Sequence, residues 1–208
     1  MNICECIQCK TFPCLDVNHD GYLIPNLEID PARVSVVLIS ESSPADPADF
    51  YYAGDVNTPQ GGSLFAQTTI LAFQDAGVDV ASLQDILDLG VYLTPAVKCA
   101  KTGYGIKAAT IKTCSEILEQ ELALFPSVQV YMLMGDVAIK AINYIAKRAG
   151  EVRVIPAGST YKLRGQPYFF RGKRAFPSYL QVGPSFGIEK SKRRMIAEDI
   201  KAALSVLN

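Results

Sequence analysis

Six cysteines stand in this chain, and four of them, Cys4, Cys6, Cys9 and Cys14, fall within its first fourteen residues; the others are Cys99 and Cys114. In a reducing compartment such crowding more often means metal than disulfides. The pattern with ligand spacing is Cys6-x-x-Cys9, a gap of about ninety residues, then Cys99 and Cys114 with fourteen residues between them. Two cysteines three apart can aim their sulfurs at one centre, and a distant pair closing the other side completes four thiolates. That set suits zinc or an iron–sulfur cluster, and spacing does not choose between them. Either one pins the leading segment to the middle of the chain. Cys4 and Cys14 are left over as substitutes for Cys6 or Cys9, ligands of a second metal, or ordinary thiols.

Asp16-Val-Asn18-His-Asp20-Gly21 opens like a calcium loop, but Leu27 stands where the twelfth-position glutamate belongs. It reads better as a tight turn. Ser40-Glu41-Ser42-Ser43-Pro44 is a polar segment directly after an apolar run, and Met134-Gly135-Asp136 joins a second such run to a helical pattern. In open α/β sheets, ligands bind beyond the carboxyl ends of strands, and a strand–Gly–helix turn presents backbone N–H groups to an anion.

The elements that must position these residues follow from periodicity. Val34–Ile39, Gly90–Val97 and Val128–Met134 read as buried strands, Val152–Pro156 as a short fourth, and 159–182 as a hairpin ending in a strand over Ala175–Val182. Helical patterns cover Leu64–Ala76, Ser82–Leu89, Ile106–Phe125, the stretch from Asp136 to about Arg148, and Ser191–Leu207. Strands alternating with helices predict an α/β fold, a three-layer α/β/α sandwich around a four-stranded, mainly parallel sheet, in one domain over 1–208 with residues 1–30 docked on it.

The 208 residues are 49% hydrophobic and 20% charged, enough for a proper core. No apolar run approaches the ~18 residues of a membrane helix, and the N-terminus lacks the basic and apolar regions of a signal peptide. A cytoplasmic protein, acting as a monomer away from membranes, is the expectation. The net charge of −1 conceals a split: residues 1–97 carry two basic and thirteen acidic residues, residues 98–208 eighteen basic and eight acidic. Such asymmetry marks either a face for a polyanion or two solvated faces that attract each other.

The order of motifs resembles the iron–sulfur type of uracil-DNA glycosylases, often called family four, from Cys6 to the C-terminal helix. Asp30-Pro31-Ala32-Arg33 resembles the family's strand entry, Ser40-Glu41-Ser42-Ser43-Pro44 its G-E-x-P-G loop, and Leu64-Phe65-Ala66 its P-F-V-G segment. Thr94-Pro95-Ala96-Val97-Lys98-Cys99 resembles T-N-x-V-K-C, Met134-Gly135-Asp136-Val137-Ala138 the L-G-x-x-A turn, and Arg164-Gly165 the R-G hairpin. The resemblance implies a [4Fe-4S] cluster, with zinc as the alternative, on Cys6, Cys9, Cys99 and Cys114. It implies a DNA or single-stranded nucleic-acid partner, with a base flipped into a pocket.

On that basis Phe65 is the expected aromatic platform, and Glu41, Ser42 and Ser43 the catalytic loop that holds water. Gly135, Arg164, Lys173, Arg174, Ser185, Arg193 and Arg194 are the expected phosphate-facing set. Two departures bear on the chemistry. The base-reading amide is replaced by Pro95, and the histidine of the family's H-P-S motif is absent whether it aligns with Phe176-Pro177-Ser178 or, preferably, with Gly183-Pro184-Ser185. Losing one oxyanion-type donor costs about 3–4 kcal/mol of barrier. Three readings follow: a glycosylase of altered specificity, a homologue that binds nucleic acid or nucleotides without excision, and a cluster-stabilised protein that works in a complex without nucleic acid.

Overall fold

The computed structural model describes residues 1–207 apart from Phe12 and the side chain of Ser185. Its elements run β1 (Val17–Asn18), β2 (Val36–Ser43), α1 (Leu64–Asp75), α2 (Leu83–Asp88), β3 (Val91–Lys101), α3 (Ala108–Leu122), β4 (Val130–Met134), α4 (Asp136–Arg148), α5 (Thr160–Leu163), β5 (Tyr168–Phe170), β6 (Lys173–Ser178) and α6 (Lys190–Leu204).

The strands form one sheet in the order β1-β3-β2-β4-β6-β5. The expected parallel core, β3-β2-β4-β6, is present. The sheet nevertheless has six strands rather than four, because β1 and β5 add antiparallel edges. These edges are only two and three residues long, too short for an alternating pattern to betray them.

The three central strands read as continuous apolar runs because helices cover both faces. Val37 and Ile39, Tyr92 and Ala96, and Tyr131 and Leu133 join the core beneath α3 and α4. Val36 and Leu38, Val91 and Leu93, and Val130 and Met132 join the core beneath α1, α2 and α6. Ser82 and Asp85 form a reciprocal cap on α2, and α1 gives way at Gly77, whose φ of +82° suits glycine.

The expected strand at Val152–Pro156 is irregular. Ile155 does carry two ladder-like hydrogen bonds, but both come from the Asn143 amide on α4: Ile155 N donates to Oδ1 and Nδ2 donates to Ile155 O, each at 3.0 Å. The hairpin is β5–β6, turning at Arg171 and Gly172, both with positive φ as a tight two-residue turn requires. Its last strand ends at Ser178 rather than Val182, and the segment 159–182 opens with the one-turn helix α5.

The leading segment is docked by its own bonds. Val17 and Asn18 pair with Lys101 and Ala100, and Leu23 N donates to Lys98 O at 2.7 Å. Among the described residues, no helix is long and apolar enough to cross a membrane.

Candidate active site

β2 and β3 run in register from Val36↔Val91 to Ser42↔Val97, then slip, so that Ser43 faces Ala100. Lys98 and Cys99 are the surplus residues. A bulge re-aims side chains, and this one turns Lys98 fully inward. Its ammonium donates to Thr94 Oγ1 (2.6 Å), to Pro95 O (2.8 Å) and to the buried Glu121 carboxylate. Glu121 also accepts from Tyr92 Oη (2.7 Å) and Thr94 Oγ1 (2.9 Å). Burial pulls the Lys98 ammonium down from its usual value while Glu121 pulls it up. Ser43 Oγ closes the bulge by donating to Lys98 O at 2.7 Å.

At the carboxyl ends of these strands lies a cleft of about 440 Å³. Glu41, Ser42, Ser43, Phe65 and Lys101 line it, with Gly183 and Pro184 on the far wall. Phe65 is 8% exposed and meets Tyr51 edge-on, ring centres 5.3 Å apart. Ser63 starts α1 by accepting from Ala66 N at 3.2 Å, which sets Phe65 in the first turn of that helix. Glu41 and Leu180 also border a second hollow of about 340 Å³, lined further by Tyr104, Gly135, Tyr179, Lys192 and Arg193.

Gly135 was expected to face phosphate. A Cβ there would stand 2.6 Å from Glu41 Oε1, and φ is +96°. The start of α4 is therefore filled by this protein's own carboxylate, which accepts from the N–H groups of Val137 and Asp136. Burial raises Glu41 above its usual 4.5, opposed by Lys101 and those N–H groups.

Pro95 is buried inside β3 opposite Ser40 and lines neither hollow. Of the two registers for the missing histidine, Gly183-Pro184 is the one at the cleft. Ser178 sits in β6 and donates to Asp199 Oδ2 at 2.6 Å. Ser185 was expected at the phosphates; its side chain lies outside the described residues.

The expected basic set is not brought together. Lys173 and Arg174 begin β6, at the end of the sheet away from the cleft, and Arg174 lies over the Phe169 and Phe176 rings. Arg164 bonds Asp199 Oδ1 and Glu198 Oε2, each at 2.9 Å, and clamps α6. Arg193 pairs with Asp75 and so ties α6 to α1, while Arg194 reaches Glu198 only at 3.7 Å. Sequence reasoning missed Lys101, although its place two residues past Cys99, at the end of a parallel strand, was the available signal.

The thiols fall into two groups. Cys14, Cys99 and Cys114 are buried at 8%, 4% and 5% exposure in the core beneath α3, with Cys9 half-buried against them. Burial first, then the Cys9 and Cys14 sulfurs, push Cys99 up to about 12; burial first, then Cys14, Cys99 and Cys9, do the same to Cys114. Tyr22 Oη accepts from Cys9 N at 2.8 Å, and His19 Nδ1 lies 3.3 Å from Cys99 Sγ. Cys6 and Cys4 are exposed, their thiols donating to Asn2 O (3.4 Å) and Asn2 Oδ1 (3.1 Å). Among the described residues, no three His, Cys, Asp or Glu side chains close around a single metal ion.

A stretch of 58 residues is 38% identical to a type-5 uracil-DNA glycosylase of Thermus thermophilus. That stretch covers 28% of this chain and 26% of the relative, so the chain spans about a quarter of the length of the curated relative it matches. The sequence profile of the Uracil DNA glycosylase superfamily matches residues 28–195, from the entry to β2 into α6. With most of its length, its parallel sheet and its cleft inside that match, this chain belongs to the uracil-DNA glycosylase superfamily.

Proposed function

We propose that this protein recognises a base flipped out of DNA and cleaves its N-glycosidic bond, with a specificity other than ordinary uracil excision. The observation that carries this reading is the cleft at the carboxyl ends of β2 and β3, where Glu41, Lys101 and Phe65 meet around one space. Phe65 offers a flat apolar wall to a base. Glu41, raised by burial and fixed by two backbone donors, is the group to hold the attacking water. As the water oxygen bonds to the sugar's C1′, the C–N bond breaks, its electron pair leaves on the base, and the water proton passes to Glu41. Lys101 is the cation nearest that departing charge, a role the missing histidine leaves open. Without a side-chain amide at Pro95, base identity is read by shape and by backbone groups, which weakens selection for uracil.

An iron–sulfur cluster belongs to this reading as a staple, supported by an all-thiol donor set in the core. When bound, it supplies a rigid tie between the leading segment and β3. Cys9, Cys99 and Cys114 have the thiol chemistry such a group takes and share one part of the core, whereas Cys6 stands apart with its thiol on the Asn2 carbonyl.

The test is a panel of single- and double-stranded oligonucleotides carrying uracil, hypoxanthine or xanthine, followed by alkaline cleavage at abasic sites. Product on at least one substrate, lost in Glu41→Gln and reduced in Lys101→Ala, is the expected result. No product on any substrate, with salt-sensitive binding retained, would replace excision by recognition alone. Loss of both would remove nucleic acid from the account.

A further inference from the structure

We propose that the fourth thiolate of the metal centre is Cys14 rather than Cys6, so that the ligands are Cys9, Cys14, Cys99 and Cys114. This rests on the presence of a thiol-bound group, while the choice of ligands is independent of what that group is.

The geometry begins at Asp16. Its carboxylate accepts from Lys107 N at 2.7 Å and from the Thr110 hydroxyl, and its carbonyl accepts from Thr102 Oγ1 at 3.2 Å. Thr110 and Cys114 lie four residues apart on α3 and therefore share a face. Two residues beyond Asp16 the chain pairs with β3, Asn18 opposite Ala100, which brings His19 beside Cys99. Cys14, two residues before Asp16, is thus brought to the side of the core that holds Cys99 and Cys114, and it is buried in the same cluster. Cys9 reaches the same corner through its bond to Tyr22.

Cys6 is held elsewhere. Asn2 caps the turn Ile3–Glu5, Cys6 N donates to Ile3 O, and Asn2 bridges to Glu28. That turn lies along residues 26–29, where Asn26 also meets the Cys4 thiol at 3.4 Å. Cys14 lies in the core with Cys99 and Cys114 and Cys9 packs against that core, whereas Cys6 is exposed with its thiol on the Asn2 carbonyl. The ligand spacing therefore becomes Cys-x4-Cys in place of Cys-x2-Cys, and Cys4 and Cys6 form a separate, solvent-facing pair.

The full chain, purified anaerobically, is compared with Cys14→Ser, Cys6→Ser and the double variant Cys4→Ser/Cys6→Ser for iron, acid-labile sulfide, zinc and visible absorbance. The expected result is wild-type metal content in both Cys6 variants and a loss of most of it, at least threefold, in Cys14→Ser. The reverse pattern overturns the assignment. Because Cys14→Ser can fail to fold, alkylation of the native wild-type chain followed by peptide mass mapping gives a second readout. Cys4 and Cys6 should label at once, while Cys9, Cys14, Cys99 and Cys114 should label only after chelation or oxidative loss of the metal. A labelled Cys14 beside a protected Cys6 overturns the proposal. Zinc in place of iron, with the same protection, upholds the ligands and rejects the cluster. A folded chain with no metal and no protected thiols rejects both.

Discussion

Lys98 and Glu121 are both fully buried and paired, and the pair holds the bulge from which Cys99 emerges. Glu121→Gln keeps the volume, so no cavity forms, and it leaves the Lys98 ammonium without a countercharge. Breaking a buried pair from one side costs about 3–5 kcal/mol, a large part of the ~5–15 kcal/mol that holds a typical domain folded. Lys98→Met should cost a similar amount, because the carboxylate then keeps only Tyr92 and Thr94 as donors. The double variant Lys98→Met/Glu121→Leu should cost less than the two singles together, since an apolar pair of similar volume is often neutral. Urea unfolding of all four proteins, with metal content measured for each, gives the cycle. The Glu121→Gln deficit should shrink as pH rises: burial already holds Lys98 low, so the folded state binds fewer protons than the unfolded one and gains stability with pH. Single variants that each lose less than about 1 kcal/mol, or that add without coupling, would refute the view that this pair holds the bulge.

Gly135→Ala places a Cβ against Glu41 at a strained φ. It should cost about 1–3 kcal/mol and displace the carboxylate, so product yield in the oligonucleotide assay should fall more than binding does. Glu41 carries a folded-state pKa above its unfolded 4.5, so the folded chain holds the proton more tightly and stability rises as pH falls through the raised value, levelling below 4.5. Glu41→Gln should flatten that part of the curve, measured as midpoint denaturant against pH; identical curves would show that the carboxylate is not buried. Arg164→Ala should lower stability by about 1–3 kcal/mol, the cost of leaving the buried Asp199 carboxylate without its guanidinium and with the Ser178 hydroxyl as its remaining side-chain donor, and leave the salt dependence of DNA binding unchanged. Lys101→Ala should reduce the slope of log affinity against log salt by about 1 and barely move stability, read by fluorescence anisotropy.

The layers were legible because β2, β3 and β4 are apolar on both faces and the helices carry strong stops and caps, as at Gly77 and Ser82. The β1 edge was not, because it is two residues long, and β5 was legible only as one arm of the hairpin expected within 159–182. Val152–Pro156 misled for a physical reason: Asn143 supplies from a helix the two bonds that a neighbouring strand would give. At the site, Glu41 and Phe65 were found from motif order, and the structure sets both in one cleft. Gly135 was matched to a strand–Gly–helix turn that would face phosphate, and in the fold the Glu41 carboxylate lies against that turn. Spacing favoured Cys6 as the partner of Cys9, and what spacing does not carry is burial: in the fold Cys14 lies in the core with Cys99 and Cys114, and Cys6 is exposed.

Charge taught the larger lesson. Eighteen basic residues after position 97 read as a surface for a polyanion, yet in the fold many of them answer carboxylates across the packing of helices. Arg148 and Arg171 meet Glu119, Arg164 meets Glu198 and Asp199, and Arg193 meets Asp75. Of these pairs, Arg193–Asp75 draws the acidic first half to the basic second half, between α1 and α6, while the others neutralise the second half's cations with its own carboxylates. The cations that border the two hollows are Lys101, Lys192 and Arg193, and Lys192 is itself shared with Glu189. Even if all three contacted phosphate, the salt slope would be roughly −3, against roughly −4 to −5 for the five cations named from sequence. On the function proposed above, affinity would come mainly from the captured base, which would place the burden of recognition on Phe65 and the walls around it rather than on the basic half as a whole.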